Sequence, residues 1–253
     1  MPTDPAIAAY RLAAVHAFLR NDTAVYTALS SIPGVGDNPS LPSVDDDMYG
    51  NLLGFSKSNC TLLHVLAAGP SLTPSSLPTS LLSKHVNVLN SNGETPLVMA
   101  VKADHTDTVK ALCEAGADPN ICRTQHDGRA DDTSPLMFAS YTDNTPMVEV
   151  LVCAGADPHY RRSRLAGQVD DFSALDVACH TPRADIVRLL CEAGVDPNST
   201  HTVSFGEKDD TSPLMYVAQF GNTACVEVLL AAGADPNYRR AHIEDLSDDR
   251  SAL

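Results

Sequence analysis

The chain of 253 residues lacks tryptophan, is poor in aromatic residues (5%) and carries only 17 basic side chains against 32 acidic ones. Its formal charge of −15 argues against binding to nucleic acid or to an anionic membrane surface, because both require a basic protein surface. No run of about 18 apolar residues is present, so no membrane insertion is predicted. The apolar stretch 6–19 contains Arg11 and follows no basic segment, which disfavours a secretory signal.

Sequence signatures of chemistry are missing as well. The seven cysteines are odd in number and none is spaced as CxxC, so we interpret them as reduced and mostly buried, in a cytoplasmic protein. The chain has no glycine-rich phosphate loop, no HExxH and no nucleophile elbow. The neighbours Cys179 and His180 fall short of a four-ligand zinc set. We therefore predict no catalytic residue, no metal site and no cofactor.

The chain does contain an internal repeat. Gly-Ala-Asp-Pro-Asn, with small variations, begins at Gly116, Gly155, Gly194 and Gly233, each 39 residues after the last. A Thr/Ser-Pro/Ala-Leu string follows the same step, beginning at Thr95, Ser134, Ser173, Ser212 and Ser251. Two signals in phase at one period indicate stacked supersecondary units that bury their hydrophobic faces against neighbours.

One unit can be interpreted from its local signals. Thr95 can cap a helix N-terminus, and Pro96 suits the first helical position, where no amide hydrogen is needed. A second helix is predicted from about Asp107. Gly116 ends it in the left-handed conformation that glycine adopts at low cost. Each repeat is thus predicted to be a helix, a turn, a helix and an extended loop.

The Thr/Ser-Pro/Ala-Leu string that opens each repeat and the Gly-Ala-Asp-Pro-Asn string that closes it resemble those of the ankyrin repeat. The ankyrin pattern includes Thr-Pro-Leu-His and Gly-Ala-Asp-x-Asn. The resemblance covers residues 59–253, as about five repeats and a next one that stops at Leu253. It implies an all-α ankyrin-repeat solenoid with elongated β-hairpin fingers. The opening histidine is present only as His64, and its absence elsewhere should cost those repeats a hydrogen bond. The residues in its place are Val98, Met137, Asp176 and Met215.

The inter-repeat loops, which are β-hairpin fingers in this family, are unusually long. They comprise residues 121–133, 160–172, 199–211 and 238–250, which we call fingers 1 to 4. Gly128, Gly167 and Gly206 lie mid-segment, where a tight turn requires positive φ. The extra residues therefore predict long hairpins.

Folding finger 2 about its centre places Arg161 opposite Asp171 and Arg162 opposite Asp170. Such opposite charges stabilise a hairpin by about 0.2–1 kcal/mol each. The same rule pairs Arg123 with Asp131, Arg239 with Asp249 and Arg240 with Asp248. A competing hypothesis is that Tyr-Arg-Arg grips an acidic peptide or phosphate. The internal aspartates favour structural pairing.

Some strings recur only in alternate repeats. Cys-Glu-Ala-Gly occurs at 113–116 and 191–194, and Tyr-Arg-Arg at 160–162 and 238–240. This spacing indicates a duplicated two-repeat unit, so that a partner would meet a similar surface twice.

The ends differ from the array. Residues 1–32 have helical spacing and suit a degenerate N-terminal helical cap, which solenoids need. Residues 33–58 are acidic and rich in Pro, Gly and Ser, which predicts an exposed loop. Because the chain stops at the opening of another repeat, we expect it to be a fragment of a longer polypeptide.

The closing asparagines are Asn87, Asn120, Asn198 and Asn237. In the family this residue braces the loop by side-chain hydrogen bonds to the backbone, as short polar side chains do in turns. It is also the position that asparagine hydroxylases modify in some members. His159 interrupts the series, so its repeat should be braced less well or by the nitrogen of the histidine ring.

The resemblance implies a non-enzymatic protein–protein interaction module, a scaffold or adaptor that binds another protein through its fingers and first helices. The alternatives are an N-terminal regulatory or targeting segment of a larger enzyme or channel, and a structural element of a larger assembly. For two of the candidates, Met137 and Met215, packing in the hydrophobic core is a competing interpretation. The candidate partner-binding residues are Arg123, Tyr160, Arg161, Arg162, Phe205, Tyr238, Arg239 and Arg240 on fingers, with Met137, Tyr141, Met215 and Phe220 on first helices.

Overall fold

The computed structural model describes His64, Ala67 and residues 86–90, 92–126, 129–166, 168–181, 183–204 and 207–239. The chain divides into two compact units, one up to Arg123 and one from Thr124. Several expectations lie outside the described residues. They concern the cap at 1–32, the loop at 33–58, Phe205, Arg240, and the partners proposed for finger 4, Asp248 and Asp249.

The described part of the first unit contains one helix pair, α1 (Pro96–Lys102) and α2 (Thr106–Glu114), packed against each other. The predicted cap forms, because Thr95 Oγ1 accepts the Val98 amide hydrogen at 3.2 Å. The apolar residues of α1 are all buried, so α1 contributes most of its surface to the core of this unit.

The described part of the second unit contains three such pairs. They are α3 (Pro135–Tyr141) with α4 (Thr145–Cys153), α5 (Ala174–His180) with α6 (Ala184–Glu192), and α7 (Pro213–Gln219) with α8 (Thr223–Ala231). The first helices pack side by side, and so do the second helices. The opening leucines Leu136, Leu175 and Leu214 lie in the core between the two layers. Helices dominate the fold, as the sequence predicts.

An antiparallel two-stranded hairpin precedes each first helix of the second unit. The hairpins are β1 (Gln125–His126) with β2 (Arg129–Ala130), β3 (Arg164–Leu165) with β4 (Gln168–Val169), and β5 (His201–Ser204) with β6 (Glu207–Thr211). The prediction of β-hairpin fingers is therefore confirmed for fingers 1 to 3.

The strand register of finger 2 corrects the predicted pairing. Near the tip, the Asp170 amide hydrogen bonds to the Ser163 carbonyl at 3.1 Å, but at the base Arg161 pairs with Ser173. Asp171 is thus an extra residue on the second strand, a β-bulge. Neither Arg161 nor Arg162 is directly opposite the aspartate predicted for it. At the tip Leu165 pairs with Gln168, one position from the assumed register, and the bulge adds a further shift at the base.

The asparagine brace is confirmed at two of the closing asparagines, Asn87 and Asn198. Asn198 Nδ2 donates to the Gly233 carbonyl at 3.1 Å, and Asn198 Oδ1 accepts from the Asp235 amide at 2.6 Å. Asn87 makes the equivalent bonds to Gly116 and Asp118. Each asparagine therefore ties its own closing loop to that of the next repeat.

His159 interrupts this brace. Its backbone amide donates to Asp157 Oδ1 at 2.9 Å, as the residue after the proline does in every described close. Within the described residues its ring forms no hydrogen bond equivalent to those of Asn198. The expectation of a weaker brace in this repeat is consistent with this arrangement.

The opening histidine and its replacement use different bonds. The His64 ring Nε2 donates to the Glu94 carbonyl at 2.9 Å, and burial lowers the pKa of His64 to about 4. In helix α5 the position of this histidine is taken by Asp176, which forms a capping box with Ser173. The Asp176 carboxylate accepts hydrogen bonds from the amide and from the hydroxyl of Ser173. The loss expected for that repeat is thus offset by local bonds.

Candidate partner-binding surface

Arg162 is a buried charge. Its Nη2 lies 3.0 Å from Asp170 Oδ2, and the two side chains are 8% and 0% exposed. Its guanidinium carbon lies 5.3 Å from the centroid of the Phe172 ring. The predicted Arg162–Asp170 ion pair therefore forms, although Asp170 lies opposite Ser163, and the pair holds the base of finger 2 in the fold.

Arg161 connects two neighbouring fingers. It pairs with Asp171 at 3.6 Å and with Asp176 at 3.7 Å, and its Nη2 donates to the Thr200 carbonyl at 3.0 Å. The Arg161–Asp171 pair forms even though the two residues are not in register, because long side chains reach diagonal neighbours. Arg161 thus links finger 2 to finger 3.

The finger tyrosines show the alternation seen in the sequence. Tyr160 donates its hydroxyl hydrogen to the Asp132 carbonyl at 2.8 Å, which links finger 2 to finger 1. Tyr238 donates to the Asp210 carboxylate at 2.7 Å, which links finger 4 to finger 3. The links repeat after 78 residues, because the first and the third finger carry no tyrosine at this position. A two-repeat unit is therefore visible in the contacts between fingers.

The Asp132 carboxylate strengthens the link between fingers 1 and 2. It accepts hydrogen bonds from the Ser163 amide at 2.8 Å, the Ser163 hydroxyl at 2.6 Å and the Arg164 amide at 2.8 Å. Polar groups at the base of the fingers therefore bond to one another.

The remaining described finger candidates differ in exposure. Arg123 is 6% exposed, whereas Arg239 is exposed. Asp131 is also buried, and its Oδ1 accepts the Thr133 amide hydrogen. The Arg123–Asp131 pair stays a prediction.

The first-helix candidates divide into two groups. Met137 and Met215 are 1% and 7% exposed and lie in the core, at the position of the missing histidine, in agreement with core packing. Tyr141 and Phe220 are 68% and 66% exposed. Only the aromatic pair is placed where another protein could contact it without rearrangement of the core.

Four rings of the second unit form a continuous series, which we call the aromatic ladder: Phe172, His180, Tyr216 and Phe220. Phe172 and His180 have centroids 4.8 Å apart, His180 stacks on Tyr216 at 3.8 Å with an interplanar angle of 26°, and Tyr216 lies 4.8 Å from Phe220. The ladder runs from a buried phenylalanine at the base of finger 2 to an exposed one at the end of α7.

Hydrogen bonding and burial hold the middle of the ladder in a defined state. His180 Nδ1 donates to the Asp176 carbonyl at 2.8 Å, which orients the imidazole ring. Burial raises the pKa of Tyr216, so its phenol is neutral at physiological pH. The ladder therefore presents uncharged ring faces at Tyr216 and Phe220.

His180 and Tyr216 are absent from the candidate partner-binding residues predicted from the sequence. A signal for them exists in the 39-residue columns, because equivalent positions of the first helices recur at that interval. These columns are Phe138, Val177 and Tyr216, and Tyr141, His180 and Gln219. Comparison of the columns, instead of single motifs, would have nominated both residues.

The second helices differ from the first in charge. The exposed residues of α3, α5 and α7 include no Asp, Glu, Lys or Arg, and the one charged residue in these helices, Asp176, is buried. The second helices expose Glu149, Asp185, Arg188, Glu192 and Glu227. The uncharged surface of the unit thus lies on the first helices.

Two kinds of feature, a metal-binding cluster and a membrane-spanning helix, are not found among the described residues. They contain no group of three or more His, Cys, Asp or Glu side chains placed to hold a metal ion. No described helix is long and apolar enough to cross a membrane. Burial raises the pKa of Cys113 and of Cys191 to about 11, so neither thiol is a nucleophile at neutral pH.

Comparison with known proteins identifies the family. A family model for ankyrin repeats matches in three overlapping copies, over residues 46–123, 63–162 and 136–240. The chain belongs to the ankyrin-repeat family. The crystal structure of the human ASB11 ankyrin repeat domain is similar in fold, with a TM-score of 0.60, 20% identity, and coverage of 94% of this chain and 89% of that chain. No curated protein sequence matches.

Membership in the family carries a general function. Ankyrin repeats are protein–protein interaction modules and are typically not catalytic. The family does not specify a partner, so the partner-binding residues of this chain have to be argued from its own surface.

Proposed function

We propose that this chain is an ankyrin-repeat scaffold or adaptor that binds a protein partner through the outward positions of its first helices. The observation that carries the proposal is the exposure of Tyr141 and Phe220 on helices whose exposed positions carry no charge. Aromatic side chains supply large contact areas and are enriched among the residues that dominate binding energy.

The finger residues have a supporting role in this proposal. Arg161, Arg162, Tyr160 and Tyr238 bond to other fingers or within their own finger. They hold the fingers beside the first helices and so shape the edge of the binding surface. Arg239 is the described finger candidate that is exposed enough to contact a partner directly.

The test compares proteins captured by variants of the immobilised chain, quantified by mass spectrometry. The Tyr141→Ala/Phe220→Ala double variant should lose at least ten-fold of a captured partner. The matched control is Leu230→Ala on α8, since Leu230 is also an exposed hydrophobic residue, at 41%. Equal capture by the double variant and the unmodified chain would contradict the proposal, as would equal loss in the Leu230→Ala control.

A further inference from the structure

We propose that the partner presents an arginine side chain to the exposed end of the aromatic ladder at Tyr216 and Phe220. This inference rests on the proposed function, and it adds the chemistry of the partner. Three observations carry it: a guanidinium already bound at one end of the ladder, an accessible ring at the other end, and the negative net charge of the chain.

The first observation is intramolecular. The Arg162 guanidinium lies 5.3 Å from the centroid of Phe172, the buried first ring of the ladder. Guanidinium groups within about 6 Å of a ring centroid are attracted by the negative face of the ring. The protein thus uses one end of the ladder to hold an arginine of its own.

The second observation is the geometry of the other end. Phe220 is 66% exposed and Tyr216 is half-buried, with ring centroids 4.8 Å apart and planes tilted by 41°. Because His180 stacks on one face of Tyr216, the exposed ring of Phe220 offers the larger contact area for a flat guanidinium. The helices α5 and α7 contain no lysine or arginine that would compete for these rings.

The third observation is charge complementarity. The chain carries a formal charge of −15, and the described second helices expose more acidic than basic residues. A field of this sign attracts cationic segments and repels acidic ones before contact. The exposed rings themselves are uncharged, so the field would select the partner and the rings would bind its side chain.

Arginine fits these rings better than lysine. The guanidinium is planar and more weakly hydrated than an ammonium, so it stacks on aromatic faces with a smaller loss of hydration. Arg162 on Phe172 shows the same choice within this chain.

The experiment titrates the isotope-labelled chain with short Gly/Ser peptides that carry two arginines, two lysines, two glutamates or two leucines. Backbone chemical shifts are followed by NMR, and affinity is measured by fluorescence anisotropy. The arginine peptide should shift the resonances of Tyr216 and Phe220 and bind at least three-fold more tightly than the other peptides.

Matched variants separate the rings from general electrostatics. Phe220→Leu keeps an apolar side chain but removes the ring, and should weaken binding of the arginine peptide about five-fold. Phe220→Trp should strengthen binding, because tryptophan is the best cation–π partner. Glu227→Gln on α8 removes one charge away from the rings and should change affinity by less than two-fold.

Several results would overturn the inference. They are equal binding of the arginine and lysine or leucine peptides, unchanged affinity in Phe220→Leu, and arginine-induced shifts that map to α4, α6 and α8. If captured partners still depend on Tyr141 and Phe220 while the arginine peptide shows no preference, the proposed function stands and this inference fails. If capture is independent of both residues, the proposed function fails.

Discussion

The fingers and the first helices reverse the usual placement of polar and apolar side chains. At the base of finger 2 the charges of Arg162 and Asp170 are buried, whereas the first helices expose the rings of Tyr141 and Phe220. Charged residues are rarely buried unless they are paired, and here they are paired. The difference indicates that the finger charges stabilise the repeat, and it supports the proposal that the exposed rings contact another protein.

The reversal has a physical origin in the size of the fingers. The strands of fingers 1 and 2 are two residues long and have little backbone pairing. A two-stranded hairpin is marginal by itself, so its stability depends on side-chain bonds to neighbours. Arg161, Tyr160 and Asp132 supply these bonds.

The largest effect is expected at the buried ion pair. Arg162→Met should lower the free energy of unfolding by about 3–5 kcal/mol, because it leaves the Asp170 carboxylate buried without its cation. The matched control is Arg161→Met, whose side chain is 30% exposed and whose ion pairs are longer, and about 1 kcal/mol or less is expected there. Urea denaturation measures both. Equal losses of unfolding free energy in the two variants would contradict the view that the buried Arg162 stabilises the fold more than Arg161.

The buried histidine should make stability depend on pH. Since burial holds the folded pKa of His64 at about 4, below its ordinary 6.5, the unfolded chain binds the proton more readily. The stabilisation is complete above pH 6.5 and falls towards pH 4, by up to about 3 kcal/mol at 1.36 kcal/mol per unit of pKa.

The check on this prediction is a comparison of melting temperature against pH for the unmodified chain and His64→Gln. Both chains share the titration of their carboxylates, so the difference between the two curves isolates His64. The unmodified chain should lose more stability than the variant between pH 6.5 and 4. Parallel curves would mean that the ring takes up a proton in the folded state without penalty.

A smaller effect is expected from the closing loops. Asn198→Ala should destabilise by about 1–2 kcal/mol, because it removes two side-chain hydrogen bonds to the next repeat. His159→Asn, at the equivalent position, should leave stability unchanged or raise it. Thermal denaturation of the two variants provides the comparison. A neutral Asn198→Ala would contradict the bracing role.

The smallest effect on stability is expected at the exposed rings. Tyr141→Ala should change the free energy of unfolding by about 0.5 kcal/mol or less, as surface substitutions usually do. The same substitution should weaken partner capture. A stability loss comparable to that of Arg162→Met would place Tyr141 among the structural residues and end the contrast between fingers and first helices.

Local features of the chain could be predicted from the sequence. The caps at Thr95, Ser134 and Ser212 and the glycine stops at the closes depend on residues a few positions apart, so one repeat contains all the information. The fingers and the asparagine brace were expected from the resemblance to the ankyrin repeat, and the repeat period and the residue types located them in the chain.

Features that depend on neighbouring repeats required the tertiary structure. The bulge at Asp171 shifted the finger register, since nothing in a symmetric hairpin pattern marks which residue remains unpaired. The ladder joins His180 of one repeat to Tyr216 of the next, and only the packing of α5 against α7 brings these two rings together. Sequence alone thus determined the repeating element, whereas contacts between neighbouring repeats decided which side chains are buried and which remain exposed.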